Sequence, residues 1–434
     1  MSAIDGEGRN AIPRGAGSNP AKPQNARAVC RFCATPFQHT FVDLGMSPLC
    51  ESFLSEGELN RAESFYPLRV WVCERCLLVQ LQEYVSPADI FTEYAYFSSY
   101  STSWLRHCED YAQMAVERFG LGASSRVIEI ASNDGYLLQY FVEREIEVLG
   151  VEPAANVAKV AVQNGVPTVV RFFGRATAAD LVKQPGGADL IVGNNVLAHV
   201  PDINDFVGGL KILLKPGGVI TMEFPHLRKL IEGNQFDTIY HEHFSYLSFS
   251  TVAEIFAAHG LRLFDVDRLP THGGSLRIYA CHQADPRPTD TRANLLLEEE
   301  RSSGFRSLER YLSFAPQVEE TKRALLEFLI QARREKKTVA AYGAAGKGNT
   351  LLNYCGIRAD FVDYAVDRNP YKHGRYTPGT HIPIHPPERL SQTRPDYVLI
   401  LPWNLQEEIV AQLSFVHTWG GKFVVPIPRV AVLR

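Results

Sequence analysis

Short apolar runs alternate with stretches of helical periodicity over most of this chain, and that alternation sets the expected architecture. Arg126-Val-Ile-Glu-Ile reads as a buried strand entering a turn at residues 131–135, followed by a helical pattern from Leu137 to Val142. A second strand, Val148-Leu-Gly-Val-Glu-Pro, ends in Glu152, and another runs from Ala188 to Asn195. Leu213-Leu-Lys-Pro-Gly-Gly then leads into a strand from Val219 to Glu223. Strands alternating with helices in this way predict a doubly wound α/β sheet whose ligand sits beyond the carboxyl ends of the strands.

Farther on, residues 295–301 and 318–337 show amphipathic helical periodicity and are expected to form a solvated connector. Thr338-Val-Ala-Ala-Tyr-Gly-Ala-Ala-Gly-Lys-Gly-Asn-Thr is again strand, glycine-rich turn and helix, and apolar runs at 361–367, 397–401 and 422–426 continue a second α/β unit. Residues 1–27, rich in Gly, Ala, Asn, Pro and Ser without apolar periodicity, read as a flexible tail. The expected division is a tail (1–27), a small loop-rich domain (28–88), an α/β domain (89–285), a helical connector (286–336) and a second α/β domain (337–434).

A length of 434 residues is long for one core and fits this division. With 45% hydrophobic and 21% charged residues the composition is that of an ordinary globular protein, and a net charge of -4 gives no reason to expect a nucleic-acid partner or an anionic membrane. No apolar run approaches the roughly eighteen residues of a membrane span, and no signal-peptide centre is seen, so a cytoplasmic protein is expected, as a monomer. Eight cysteines, four of them in two close pairs, favour metal ligation over disulfides in a reducing compartment.

Those pairs are Cys30-Arg-Phe-Cys33 and Cys73-Glu-Arg-Cys76. Together Cys30, Cys33, Cys73 and Cys76 offer four thiolates, the closed tetrahedral shell of structural zinc, with a redox pair or unligated thiols as the alternatives. The most chemically loaded run is Phe-Asp-Thr-Ile-Tyr-His-Glu-His-Phe-Ser-Tyr at 236–246. If it turns helically, Tyr240 and His243 stand at i and i+3 and face one way, a plausible acid/base pair, with Glu242 between them. A polar surface turn, or histidines satisfied in a core, is the other reading. The cluster at 90–100, with Tyr94, Tyr96 and Ser99, suits a pocket wall with hydroxyls for a polar ligand and equally suits interdomain packing. His272-Gly-Gly-Ser reads as a tight loop near a ligand or another strand. The glycine-rich turn carrying Lys347, with Lys372 farther on, reads as a diphosphate cradle, although its spacing departs from the dinucleotide and P-loop fingerprints.

The first α/β turn, with Glu129, Ala131, Asn133 and Gly135, also lacks Gly-x-Gly-x-x-Gly. It is similar instead to the Rossmann-like S-adenosylmethionine (SAM) methyltransferases. That resemblance makes Glu152 the ribose ligand, a bidentate acceptor matched to two vicinal hydroxyls, with Asn194 at a neighbouring strand end. The whole ordered set runs from Cys30 to the C-terminus: the two knuckles, Tyr-Ala-Tyr-Phe-Ser-Ser, Glu-Ile-Ala-Ser-Asn-Asp-Gly, Asn-Asn-Val-Leu-Ala-His-Val, Glu-Phe-Pro-His, Tyr-His-Glu-His-Phe-Ser-Tyr and His-Gly-Gly-Ser-Leu-Arg. It resembles the C-methyltransferases of deoxysugar biosynthesis, of the tetronitrose, mycarose and noviose type.

The resemblance implies a zinc-binding N-terminal domain, a central SAM domain and a C-terminal Rossmann-like domain for a nucleotide sugar. It implies methyl transfer from SAM to C3 of a dTDP-linked 4-keto-deoxysugar, with C5 as runner-up. His243 is then the base, Tyr240 and Glu242 steady the enolate or orient the imidazole, and His199 and Tyr94 are further pocket positions. From other classes, a non-catalytic nucleotide-sugar-binding zinc protein lacks any need for a base, and an NAD-dependent oxidoreductase lacks its glycine fingerprint here.

Overall fold

The computed structural model describes residues 28–86, 98–100, 102–183 and 186–433. Its strands form three sheets. The first contains β1 (His39–Ser47), β2 (Tyr66–Val72) and β3 (Val79–Leu81), all antiparallel, with Cys73 and Cys76 in the turn between β2 and β3. Its fourth strand comes from far along the chain, at Ser245–Tyr246, directly after the polar run that holds His243.

The central sheet contains β4 (Arg126–Ile130), β5 (Glu147–Val151), β6 (Thr168–Val169), β7 (Ala188–Asn194) and β8 (Leu214–Pro225), mutually parallel. Counting Ser245–Tyr246 as β9, the sheet closes with β10 (Leu261–Leu269) and β11 (Ser275–His282) in the order β10-β11-β8-β7-β4-β5-β6. Every residue of β4 is buried, as a strand covered by helices on both faces requires. The antiparallel insertion of β11 between β8 and β10 was not legible beforehand, because both strands share the apolar character of their parallel neighbours.

The third sheet has β12 (Val339–Tyr342), β13 (Tyr364–Val366), β14 (Ile384–His385), β15 (Tyr397–Ile400), β16 (Lys422–Val425) and β17 (Ala431–Leu433), ordered β14-β13-β12-β15-β16-β17 and parallel except for β17. Gly343, just after β12, has φ +87°, and a Cβ there would lie 2.5 Å from Pro402 Cγ, so this turn admits only glycine.

The helical connector differs from the solvated segment expected. The helix Phe314–Arg334 buries Phe314, Val318, Thr321, Leu325, Leu329 and Ala332 along one face, and Phe314 stacks on Phe41 of β1 at 4.8 Å. Its stripe joins the first and third sheets in one core rather than facing water. Among the described residues, no helix is long and apolar enough to cross a membrane.

Candidate active site

The run at 236–246 is a short 3₁₀ turn, Phe236–Thr238, followed by a tight bend that feeds β9. It does not continue as a helix, yet His243 N donates to Tyr240 O at 2.9 Å, so the i, i+3 relation survives. The Tyr240 and His243 rings lie 4.1 Å apart, and His199 meets His243 edge-on at 4.8 Å. His243 Nδ1 lies 2.7 Å from Thr238 O. A carbonyl only accepts, so Nδ1 carries the proton and Nε2 presents a lone pair. Burial, then the neighbouring His199 ring, hold His243 well below the ordinary imidazole range, and the Lys347 cation adds to this. At neutral pH this is an unprotonated base in a fixed tautomer.

The C-terminal domain closes the same region. Thr350 Oγ1 donates to Ile239 O at 3.0 Å, and Trp403 Nε1 donates to Asp237 Oδ2 at 2.7 Å. Lys347 Nζ donates to Asn404 Oδ1 at 2.5 Å and lies over the Trp403 ring. Burial lowers its pKa, and Asp237 partly restores it. Lys347 also acts electrostatically on His272, which burial brings down to about 4. His243, Tyr240, His199, His272 and Lys347 thus converge where two domains meet.

The side chains of other expected residues have neighbours of their own. Burial pushes Glu242 up to about 7, with Glu51 its like-charged neighbour. Lys372 donates to Ala344 O at 2.8 Å and lies 3.8 Å from Glu51. In the glycine-rich turn, Ala344 N donates to Asp367 at 2.7 Å, and Glu51 accepts from Gly346 N. An anion bound there competes with two carboxylates. Ser99 donates to Asp134 at 2.6 Å, on the first turn of the central sheet. Tyr94 and Tyr96 lie outside the described residues.

That first turn is built from left-handed residues, Ala131 (φ 60°), Asn133 (φ 48°) and Gly135 (φ 80°). Two of the three carry a side chain, a costly choice met where backbone must face a ligand. Glu152 accepts from Asn133 N at 2.9 Å and Ala154 N at 2.8 Å, which fixes both oxygens at the end of β5 and leaves lone pairs for hydroxyls. Glu129 is fully buried at the end of β4, beside the Tyr136 hydroxyl, and burial drives its carboxyl well above the usual range. At the end of β7 the Asn194 amide is buried without a hydrogen-bond partner. Buried carboxyls and a spare amide at the switch point of the sheet fit SAM, whose ammonium and sulfonium are cationic and whose ribose carries two hydroxyls.

The four knuckle sulfurs cluster, with Cys30–Cys76, Cys33–Cys73 and Cys33–Cys76 at 3.6, 3.5 and 3.6 Å. Tetrahedral sulfurs about 2.3 Å from zinc stand about 3.8 Å apart, so the set fits that ion and leaves no open position for chemistry.

The sequence reading missed three contributors: the Thr238 carbonyl that fixes the tautomer, and Trp403 and Asn404 of the C-terminal domain. The last two follow β15, and the rule that ligands gather at the carboxyl ends of parallel strands was the signal that pointed to them.

A family model described as the C-methyltransferase C-terminal domain matches residues 270–428, a methyltransferase-domain model matches 104–266, and a zinc-binding domain model matches 30–91. The chain is 36% identical over 404 residues to the C-methyltransferase NovU of Streptomyces niveus, covering 93% of this chain and 96% of that one. This chain belongs to the C-methyltransferase family. As a SAM-dependent C-methyltransferase it also shares 30% identity over 95 residues with a ubiquinone biosynthesis O-methyltransferase of Bordetella avium, 21% of this chain and 39% of that one. A solved magnesium protoporphyrin IX methyltransferase from Synechocystis aligns over 41% of this C-methyltransferase and 78% of its own chain, with 15% identity and a TM-score of 0.31.

Proposed function

We propose that this C-methyltransferase moves the methyl group of SAM to C3 of a dTDP-linked 4-keto-deoxysugar, with His243 as the base. The observation that carries this reading is the 2.7 Å bond from His243 Nδ1 to Thr238 O, which leaves Nε2 free to take a proton from carbon. A carbon acid beside a ketone must lose its proton before it can attack an electrophile, and a neutral imidazole in this tautomer can take it. His243 Nε2 removes the proton on the carbon next to C4, the C–H electrons form the enolate, and the enolate carbon bonds to the incoming methyl. SAM supplies that methyl as an electrophile and leaves as the neutral thioether. Tyr240 lies tilted against the base, ring centroids 4.1 Å apart, and holds the enolate oxygen, while the Lys347 cation gives the pocket a field that favours negative charge. Glu129, Asn133, Asn194 and Glu152 hold SAM, and the tilt of the sugar selects C3 over C5.

The choice of a dTDP sugar rests on the resemblance of the ordered motifs to deoxysugar C-methyltransferases. Incubation with methyl-labelled SAM and a dTDP-4-keto-6-deoxysugar tests it: carbon NMR is expected to find label on C3. Label on C5 rejects the position, and label on oxygen or none on sugar rejects the reading.

A further inference from the structure

Between the cysteines of the first knuckle lies Arg31, whose side chain leaves the sulfur cluster and enters the central domain. Its Nη1 donates to Val200 O and Pro201 O, both at 3.2 Å, and its Nη2 to Leu81 O. Val200 and Pro201 follow His199 directly. Leu81 N donates to Phe244 O at 3.0 Å, and Phe244 N donates to Ala198 O at 2.8 Å. Phe244 follows His243 directly, and the Arg31 guanidinium carbon stands 5.5 Å from its ring centroid. One cation therefore touches both short segments that carry the two contacting imidazoles.

The other end of Arg31 is tied to the metal site. Gln80 Oε1 accepts from Arg31 N at 2.9 Å and from Nε at 3.3 Å, and Gln80 Nε2 donates to Cys30 Sγ at 3.1 Å. Asn204 Nδ2 caps the knuckle from the central domain, donating to Arg31 O at 3.0 Å and Phe32 O at 2.9 Å. Gln80 and Ser245 are also paired residues of β3 and β9. The knuckle, the strand after the base and the loop after His199 are thus one hydrogen-bonded unit with Arg31 at its centre.

We infer that Arg31 is a positioning residue for methyl transfer: it fixes the His199 and His243 segments against each other, so that the zinc knuckle sets the aim of the base. This rests on His243 being the base. A planar guanidinium reaches three carbonyls in fixed directions, which an ammonium cannot. Without it the His199 and His243 segments keep the Ala198 to Phe244 bond but lose the brace that sets their angle. A displacement of about 1 Å at a base costs on the order of 100-fold in rate.

Arg31→Ala and Arg31→Lys, compared with the parent enzyme and His243→Asn, test this through zinc content, SAM dissociation constant and turnover. The expected result for Arg31→Ala is a parental zinc content, a SAM dissociation constant within about twofold of the parent, and a kcat lower by about 10- to 100-fold. Added guanidinium ion is expected to restore part of the loss, and Arg31→Lys to fall between. A zinc-loaded Arg31→Ala with kcat within twofold of the parent overturns the inference, as does a loss that guanidinium and lysine both fail to relieve. If both variants lose zinc, Arg31 serves the metal site and not the base, which also overturns it. These outcomes presuppose a parent that methylates the sugar and a His243→Asn that does not; failure of either control rejects the assignment of the base instead.

Discussion

Trp403 donates its indole N–H to Asp237 at 2.7 Å, joining the C-terminal domain to the turn that carries His243. Asp237 is buried, and burial pushes its carboxyl up to about 6 against the opposing pull of Lys347 and the indole. In the proposed function the sugar binds beside His243, in the turn that this bond holds. Trp403→Phe keeps an aromatic ring near Lys347 while removing the donor and the second ring of the indole. A hydrogen bond to a charged group is worth about 1.5–3 kcal/mol, so KM for the nucleotide sugar is expected to rise about tenfold or more, with SAM affinity unchanged in a calorimetric titration.

Glu51 raises the pKa of Glu242, which stands at about 7, although burial is the larger cause. Glu51→Gln removes one like charge, so the Glu242 carboxyl should titrate lower, at a pH below 7, in a carbon-13 NMR titration. An unchanged midpoint would mean that burial alone sets it.

The alternation of strands and helices, both knuckles and the Tyr240 to His243 spacing were legible in the sequence because each rests on local periodicity or on ligand spacing. The reversed hairpin of β10 and β11 was not, since antiparallel and parallel buried strands share one composition. Nor was the burial of the helix Phe314–Arg334: an amphipathic pattern tells which face is apolar, not that two other domains supply its cover. The i, i+3 facing of Tyr240 and His243 came from a single turn rather than the helix imagined for it. Contacts such as Trp403 to Asp237 span 166 residues, and no local pattern announces them.

His226 Nε2 lies 2.7 Å from Glu300, which also accepts from Phe249 N, Ser250 N and Ser250 Oγ, all inside the core. Burial pushes the Glu300 carboxyl up, but His226 and these donors outweigh it and hold it below the usual range. A depressed carboxylate stabilises the fold above its unfolded pKa of about 4.3, and that stability is lost as pH falls through the lower folded value. Glu300→Gln is expected to cost about 3 kcal/mol or more in urea unfolding at pH 7, because it leaves donors poorly paired in the core. The same comparison at acid pH should show a smaller difference.

Cys73→Ser removes one of the four clustered sulfurs. Loss of a structural zinc removes folding free energy directly, so metal analysis should fall from about one zinc per chain to near none, and the melting temperature by about 10 °C or more. A variant that keeps the parental melting temperature without metal would show that the sulfur cluster is not structural.

The base itself is tested most directly by proton exchange, without methyl transfer. In D₂O with S-adenosylhomocysteine bound, the parent enzyme should wash deuterium into the carbon beside the ketone of a dTDP-4-keto-6-deoxysugar, read by proton NMR. His243→Asn should slow that exchange by about 100-fold or more while binding S-adenosylhomocysteine as the parent does. Exchange at the parental rate in His243→Asn would contradict the assignment of this imidazole as the group that takes the proton.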